Sequence, residues 1–184
     1  MKKFVIFDLE ATCYERGVKN NNKPLDFDNE IIEIGAVMLD SDGNEMGKFQ
    51  SFAKPKLYPN LSDFCKQLTT IKQEDVDNAD DLADVLINFI NWCDGATLVS
   101  WGFYDKTQLV KDLIRNDLEY LLDDIEEHKS LKHLHAKWNN LRRQGIGLSK
   151  ALVRENFKFE GTPHRGIDDA INIANIFRKY IDKF

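Results

Sequence analysis

The stretch "FVIFDLEATC" (residues 4–13) sets two carboxylates, Asp8 and Glu10, into the end of an otherwise apolar run. Side chains alternate faces along a strand, so the two acids point the same way while Phe7 and Leu9 point the other. Carboxylates on one face repel each other, and burying one uncompensated costs on the order of several kcal/mol. Either one of them holds a proton, or they meet solvent or a basic partner, or a cation sits between them. Hard oxygen donors would then suit Mg²⁺ or Mn²⁺.

Two more acids and a histidine extend the set. Asp105 follows the apolar run "ATLVSWG" (96–102), ahead of a helix and at the carboxyl end of a strand, where α/β sheets commonly hold functional groups. An aspartate at that point is equally suited to capping the helix. In "GTPHRGIDDAINIANIFRKYI", Ile167, Ala170, Ile171, Ala174, Phe177 and Ile181 form the apolar stripe of a helix, and Asp169 borders it. Asp168 lies about 100° around that helix, suited to solvent or to the helix dipole. His164 stands five residues before Asp169, in the loop entering the helix. An imidazole with a pKa near ~6.5 can take a proton from water at neutral pH, although a solvated loop histidine is the plainer reading of His164 alone. His133 and His135 are two apart in a predicted helix and diverge, and no cysteine spacing accompanies them.

These residues need a frame. Residues 4–9 read as a central strand, "EIIEIGAVMLD" (30–40) as a second, and "EMGKFQSFAKP" (45–55) as a third after the "DSDGN" turn, an antiparallel meander. Residues 15–29 are polar and turn-rich and read as a surface loop. The period then changes to helical over 61–71 and over 79–95, with a stop at Gly95. The strand 96–102 leads through Asp105 to a helix over 106–116, a parallel βα unit. An acidic linker to Glu127, helices near 131–143 and 147–157, and a last helix from about 166 to 181 complete the chain.

A chain of 184 residues with 42% hydrophobic and 30% charged residues predicts one well-packed α/β domain over 1–184. No apolar run approaches the ~20 residues of a membrane span, and the amino-terminal lysines lead into no small-residue cleavage site, so a cytoplasmic protein without a membrane partner is expected. Cys13, Cys65 and Cys93 are scattered and odd in number, which predicts reduced thiols. A net charge of −6 argues against gripping long duplex nucleic acid. Residues 129–158 nevertheless carry eight basic residues against one acid, a local +7 that leaves −13 elsewhere. This stretch is either a solvated basic face or a guide for an anionic strand.

The motifs "FDLEAT", "SWGFYD" and "HRGIDDA", in this order, resemble the DEDDh branch of the DnaQ-like 3′-to-5′ exonucleases. "NEIIEIGAVML", "FAKPKLYPNLSDFCKQLTTIKQEDVD" and "INWC" are similar to the subgroup holding the ERI-type exoribonucleases and the bacterial KapD-like proteins named as sporulation inhibitors, over essentially the whole chain. The resemblance implies a ribonuclease-H-like fold, a five-stranded mixed sheet with the first three strands antiparallel, flanked by helices. It implies that Asp8, Glu10, Asp105 and Asp169 hold two divalent ions, that His164 is the general base, and that the products are nucleoside 5′-monophosphates. The implied partners are single-stranded RNA 3′ ends, with DNA open as a second substrate. Substrate contacts are expected at Ala11, Thr12, Thr70, Ile71 and Tyr104.

The chain departs from the subgroup at Leu9, where an aromatic is frequent, at Thr70, where "LTGI" usually carries glycine, and at Phe103, where "SWGDWD" is polar. Phe64, Leu68 and Ile71 lie near Thr70 and could stack the last base, but their helical spacing favours core packing. The SAP-type RNA-binding extension of some eukaryotic relatives is not expected. Two other functions share the motifs: a regulatory module acting by protein contact, and a proofreading-type DNA exonuclease, distinguished by contacts to the sugar 2′-OH. A degenerate module is expected to lose ligands, and here all five positions are filled.

Overall fold

The computed structural model describes residues 2–15, 28–125 and 127–184, so most of the predicted 15–29 loop lies outside the described residues. Strand β1 (Lys3–Ala11) is apolar along most of its length and takes an interior place in the sheet. It pairs antiparallel with β2 (Ile31–Asp40), and β2 with β3 (Glu45–Phe52). The "DSDGN" turn closes because the Asp40 carboxylate accepts from the N–H groups of Asp42 and Asn44, at 2.8 and 2.9 Å. On its other side β1 runs parallel to β4 (Thr97–Ser100), and β4 parallel to β5 (His128–Ser130). The order β3-β2-β1-β4-β5 is the expected five-stranded mixed sheet with its first three strands antiparallel.

The pleat of β1 divides the core. Val5, Phe7 and Leu9 pack under α3 (Leu82–Cys93) and α4 (Tyr104–Arg115), against Phe89, Leu109 and Leu113. Phe4 and Ile6 pack on the opposite face under α7 (Gly166–Lys179), with α5 (Leu131–Trp138) and α6 (Leu148–Arg154) alongside. Side chains such as Phe7 and Phe177 are fully buried, each contributing roughly 2–3 kcal/mol through area removed from water. A smaller cluster, Ile32, Leu61, Cys65, Ile71 and Val76, seats α1 (Asp63–Thr69) and α2 (Gln73–Asp77). No helix among the described residues is long and apolar enough to cross a membrane.

Several boundaries differ from expectation. The fifth strand lies at the end of the acidic linker and is only "HKS", too short and polar to show a period. The 61–71 segment stops being helical at Thr70, which takes the left-handed conformation (φ 60°), and α2 follows as a separate turn. The 131–143 helix ends at Trp138, where the Asn139 amide reaches back to the His135 carbonyl at 3.0 Å and Asn140 turns left-handed (φ 52°). Helix α4 begins at Tyr104, so Asp105 lies inside its first turn and is not its cap, a position taken by Phe103.

Candidate active site

The row Phe4–Ile6–Asp8–Glu10 lies on one face of β1, so the strand that buries apolar groups against α7 ends by presenting two acids beneath the start of the same helix. Asp8 pairs with Gly35 of β2 and Glu10 with Glu33. Gly35 lets the helix approach: a Cβ there would lie 2.0 Å from the Ile167 nitrogen. On the helix side a Cβ on Gly166 would lie 3.0 Å from the Gly35 nitrogen and 3.2 Å from the Asp8 carbonyl oxygen. Backbone therefore meets backbone, and α7 starts directly over the acids.

Glu33 locks that junction. Fully buried, its carboxylate accepts from the Arg165 guanidinium at 3.1 and 3.2 Å, from the Gly166 N–H at 3.1 Å and from the Gln50 amide at 2.9 Å. The loop before α7 is pinned again by the two aspartates of its first turn. Asp168 accepts from the Thr162 N–H at 2.8 Å, and Asp169 from the His164 N–H at 2.9 Å. The different roles expected of the two aspartates follow: Asp168 holds the loop while Asp169 faces the cluster. The donor atoms of Glu10, His164 and Asp169 all lie within 4.8 Å of one another. Asp105 arrives from the other side, carried by the first turn of α4.

All five predicted residues, Asp8, Glu10, Asp105, His164 and Asp169, line one cavity of about 630 Å³. Leu9, Trp101, Tyr104, Pro163 and the segment Gly147–Lys150 complete its wall. Burial pushes the carboxyl of Asp8 well above the usual range, reinforced by Asp105, Asp169, Glu10 and Glu33. Burial with Asp169, Glu33 and Asp105 takes Glu10 up to about 8. Burial likewise takes Asp105 and Asp169 to about 6, against hydrogen bonds from Ser100 and Leu9 to the first and from His164 to the second. Four acids so raised, facing a single lysine in the lining, form a site with too little positive charge of its own. Hard oxygen donors in this state fit divalent cations.

The predicted substrate contacts divide. Tyr104 lines the cavity and is half exposed. Ala11 and Thr12 are buried outside that lining, the Thr12 hydroxyl accepting from the Glu30 N–H at 3.0 Å. Thr70 is exposed away from the lining, and Ile71 is fully buried against Ile32, so its side chain belongs to the core. Glu33, Arg165 and Gly35 position the site and Trp101 lines it; all four stand inside the quoted motifs, which assigned them no role. The available signal was a glutamate, Glu33, inside an otherwise buried β-branched run. Of the other histidines, His135 is buried on Glu155 at 2.7 Å, while His133 stacks on Phe103, so the two diverge as expected.

A ribonuclease-H-like mixed sheet with a carboxylate cluster at the carboxyl ends of β1 and β4 is the framework of divalent-metal-dependent nucleases. The chain belongs to the exonuclease family, whose model matches residues 5–177. It is 34% identical to the human protein 3′-5′ exoribonuclease 1 over 184 residues, covering 93% of this chain and 50% of that one. The chain thus spans half the length of that relative. Among solved structures it is similar to the nuclease domain of 3′hExo, a DEDDh family member bound to rAMP (TM-score 0.87, 28% identity, covering 99% of this chain and 92% of that one). It is also similar to a 3′-exonuclease whose structure concerns 3′-end-specific recognition of the histone mRNA stem-loop (TM-score 0.80, 26% identity, 99% and 64% covered).

Proposed function

We propose that residues 1–184 form one exonuclease domain that hydrolyses single-stranded RNA from its 3′ end to nucleoside 5′-monophosphates. In this reading Asp8, Glu10, Asp105 and Asp169 hold two Mg²⁺ or Mn²⁺ ions and His164 is the general base. The observation that carries it is the convergence of all five side chains on one cavity. The ions, when bound, supply positive charge to the scissile phosphate and make water more acidic.

The chain's own residues supply the rest. His164, exposed at the rim, accepts the proton of the attacking water as the new P–O bond forms and the P–O3′ bond breaks, leaving a shortened strand with a free 3′-hydroxyl. Glu33 and Arg165 hold the start of α7 so that His164 and Asp169 keep their relative positions. Tyr104 offers an aromatic face to the terminal nucleotide. RNA is favoured over DNA by similarity to relatives named exoribonucleases and to a neighbour bound to rAMP. Three free cysteines suit a reducing, cytoplasmic setting.

The test uses 5′-labelled single-stranded RNA, single-stranded DNA and a duplex with a 3′ overhang, each with Mg²⁺ or Mn²⁺. A ladder shortening from the 3′ end on RNA, lost on chelation and in Asp8→Ala, is expected. No ladder with either metal, or an unchanged one in Asp8→Ala, overturns the reading. A ladder on DNA alone overturns the choice of RNA.

A further inference from the structure

A second cavity, of about 490 Å³, is lined by Phe103, His133, Lys137, Leu141 and Arg143. The Phe103 ring is 55% exposed, yet it is not loose: it stacks on His133 with centroids 4.7 Å apart and planes at 28°, and His128 lies 6.0 Å away. His133 is itself fixed by a 2.7 Å hydrogen bond between its Nδ1 and the Ser130 hydroxyl. The aromatic ring is thus held against His133 while more than half of the residue stays open to solvent. Among the described residues neither Lys137 nor Arg143 makes an ion pair, and both lie in the 129–158 stretch of net charge +7.

The two cavities have no lining residue in common, but their linings come from adjoining stretches of the chain. Phe103 adjoins Tyr104, which lines the first, and Leu141 and Arg143 precede Gly147–Lys150, which line it too. We infer that Phe103, His133, Lys137 and Arg143 form a subsite for single-stranded nucleic acid upstream of the scissile bond, one base stacking on Phe103 and its phosphates meeting Lys137 and Arg143. Charge complementarity chooses the occupant, because unpaired cations beside an exposed ring suit a strand of bases and phosphates. The inference rests on the exonuclease reading and adds where the strand leaves the site.

The experiment compares kcat/KM on RNA dinucleotides and decamers for wild type, Phe103→Ala and the double variant Lys137→Ala/Arg143→Ala. The double variant keeps the test valid should Phe103→Ala disturb the start of α4. The decamer-to-dinucleotide ratio is expected to fall roughly tenfold in each variant, through KM, as loss of one stacked base or two phosphate contacts requires. An unchanged ratio, or equal losses on both lengths, overturns the subsite. If wild type cleaves neither length, the exonuclease reading fails separately. Equilibrium binding of a labelled decamer then decides the subsite: weaker binding in the variants supports it, and a Kd that ignores both variants overturns it. Binding of polyglutamate as tight as that of the decamer also overturns it, assigning the surface to an acidic protein.

Discussion

The backbone N–H of His164 donates to the Asp169 carboxylate at 2.9 Å, so the H-x4-D spacing is a hydrogen-bonded turn that ties the two groups together. The turn requires a left-handed residue, and His164 takes it (φ 62°). Its imidazole is consequently directed by a backbone that one of the acids itself holds in place.

His164→Asn keeps a residue that tolerates the left-handed region and removes the imidazole. Nucleotide release is expected to fall roughly 10²- to 10⁴-fold. The melting temperature should stay close to that of wild type, because the side chain is exposed. Activity and thermal unfolding measured together check this, and full activity in the variant would remove His164 from the general-base role proposed for it.

The metal-free protein should lose stability as pH rises. Glu10 sits at about 8 and Asp105 and Asp169 at about 6 in the folded chain, above their ordinary values of 4.5 and 3.8. The folded state therefore binds protons that the unfolded state has released, and stability present below about 4 drains away through pH 6 and 8. Thermal melts in chelator at pH 5.5, 7 and 9 should give falling midpoints, and added Mg²⁺ or Mn²⁺ should flatten the series. Glu155 works in the opposite sense only below its range: despite burial, Lys179, His135 and Tyr180 hold it at about 2, and its contribution is lost as pH falls from about 4.5 toward that value. A flat chelator series above pH 5 would contradict the mutual repulsion of the acids.

Gly35→Ala places a methyl group where the Ile167 nitrogen stands 2.0 Å away, in backbone that has no side-chain freedom to yield. Destabilisation of about 3 kcal/mol is expected, at the upper end for overpacking. Activity should fall by more than the loss of folded protein explains, since α7 must shift and carries Asp169 with it. Urea unfolding combined with specific activity per folded molecule separates the two effects.

Thr70→Gly should do the reverse. A β-branched residue caps α1 at φ 60° with its side chain exposed, so glycine relieves strain without giving up packing. A gain of about 1 kcal/mol is expected, seen as a higher urea midpoint at unchanged slope.

Thr70 also illustrates what the chain disclosed before folding. That glycine is usual at this position in similar sequences was visible; the reason, a left-handed helix end, was not, because apolar spacing ran on through Ile71. The meander, the central strand and the last helix were legible because each is long and strongly patterned. The strand "HKS" was not, since three polar residues join the sheet only when β4 offers its edge. The five clustered residues were legible through their motifs in order. Glu33 and Gly35 were not, because their importance lies in the close approach of α7, which only tertiary packing creates.

The junction of Gly35 with Gly166 carries a consequence for how the molecule comes into being. Asp8 and Glu10 are translated first, whereas His164 and Asp169 follow more than 150 residues later and reach the acids only after α7 docks on the sheet. A polypeptide still being synthesised through α6 holds three of the five grouped side chains and no complete site. On the reading proposed above, a ribosome making this chain is shielded from it, message included, until the last helix has emerged and closed.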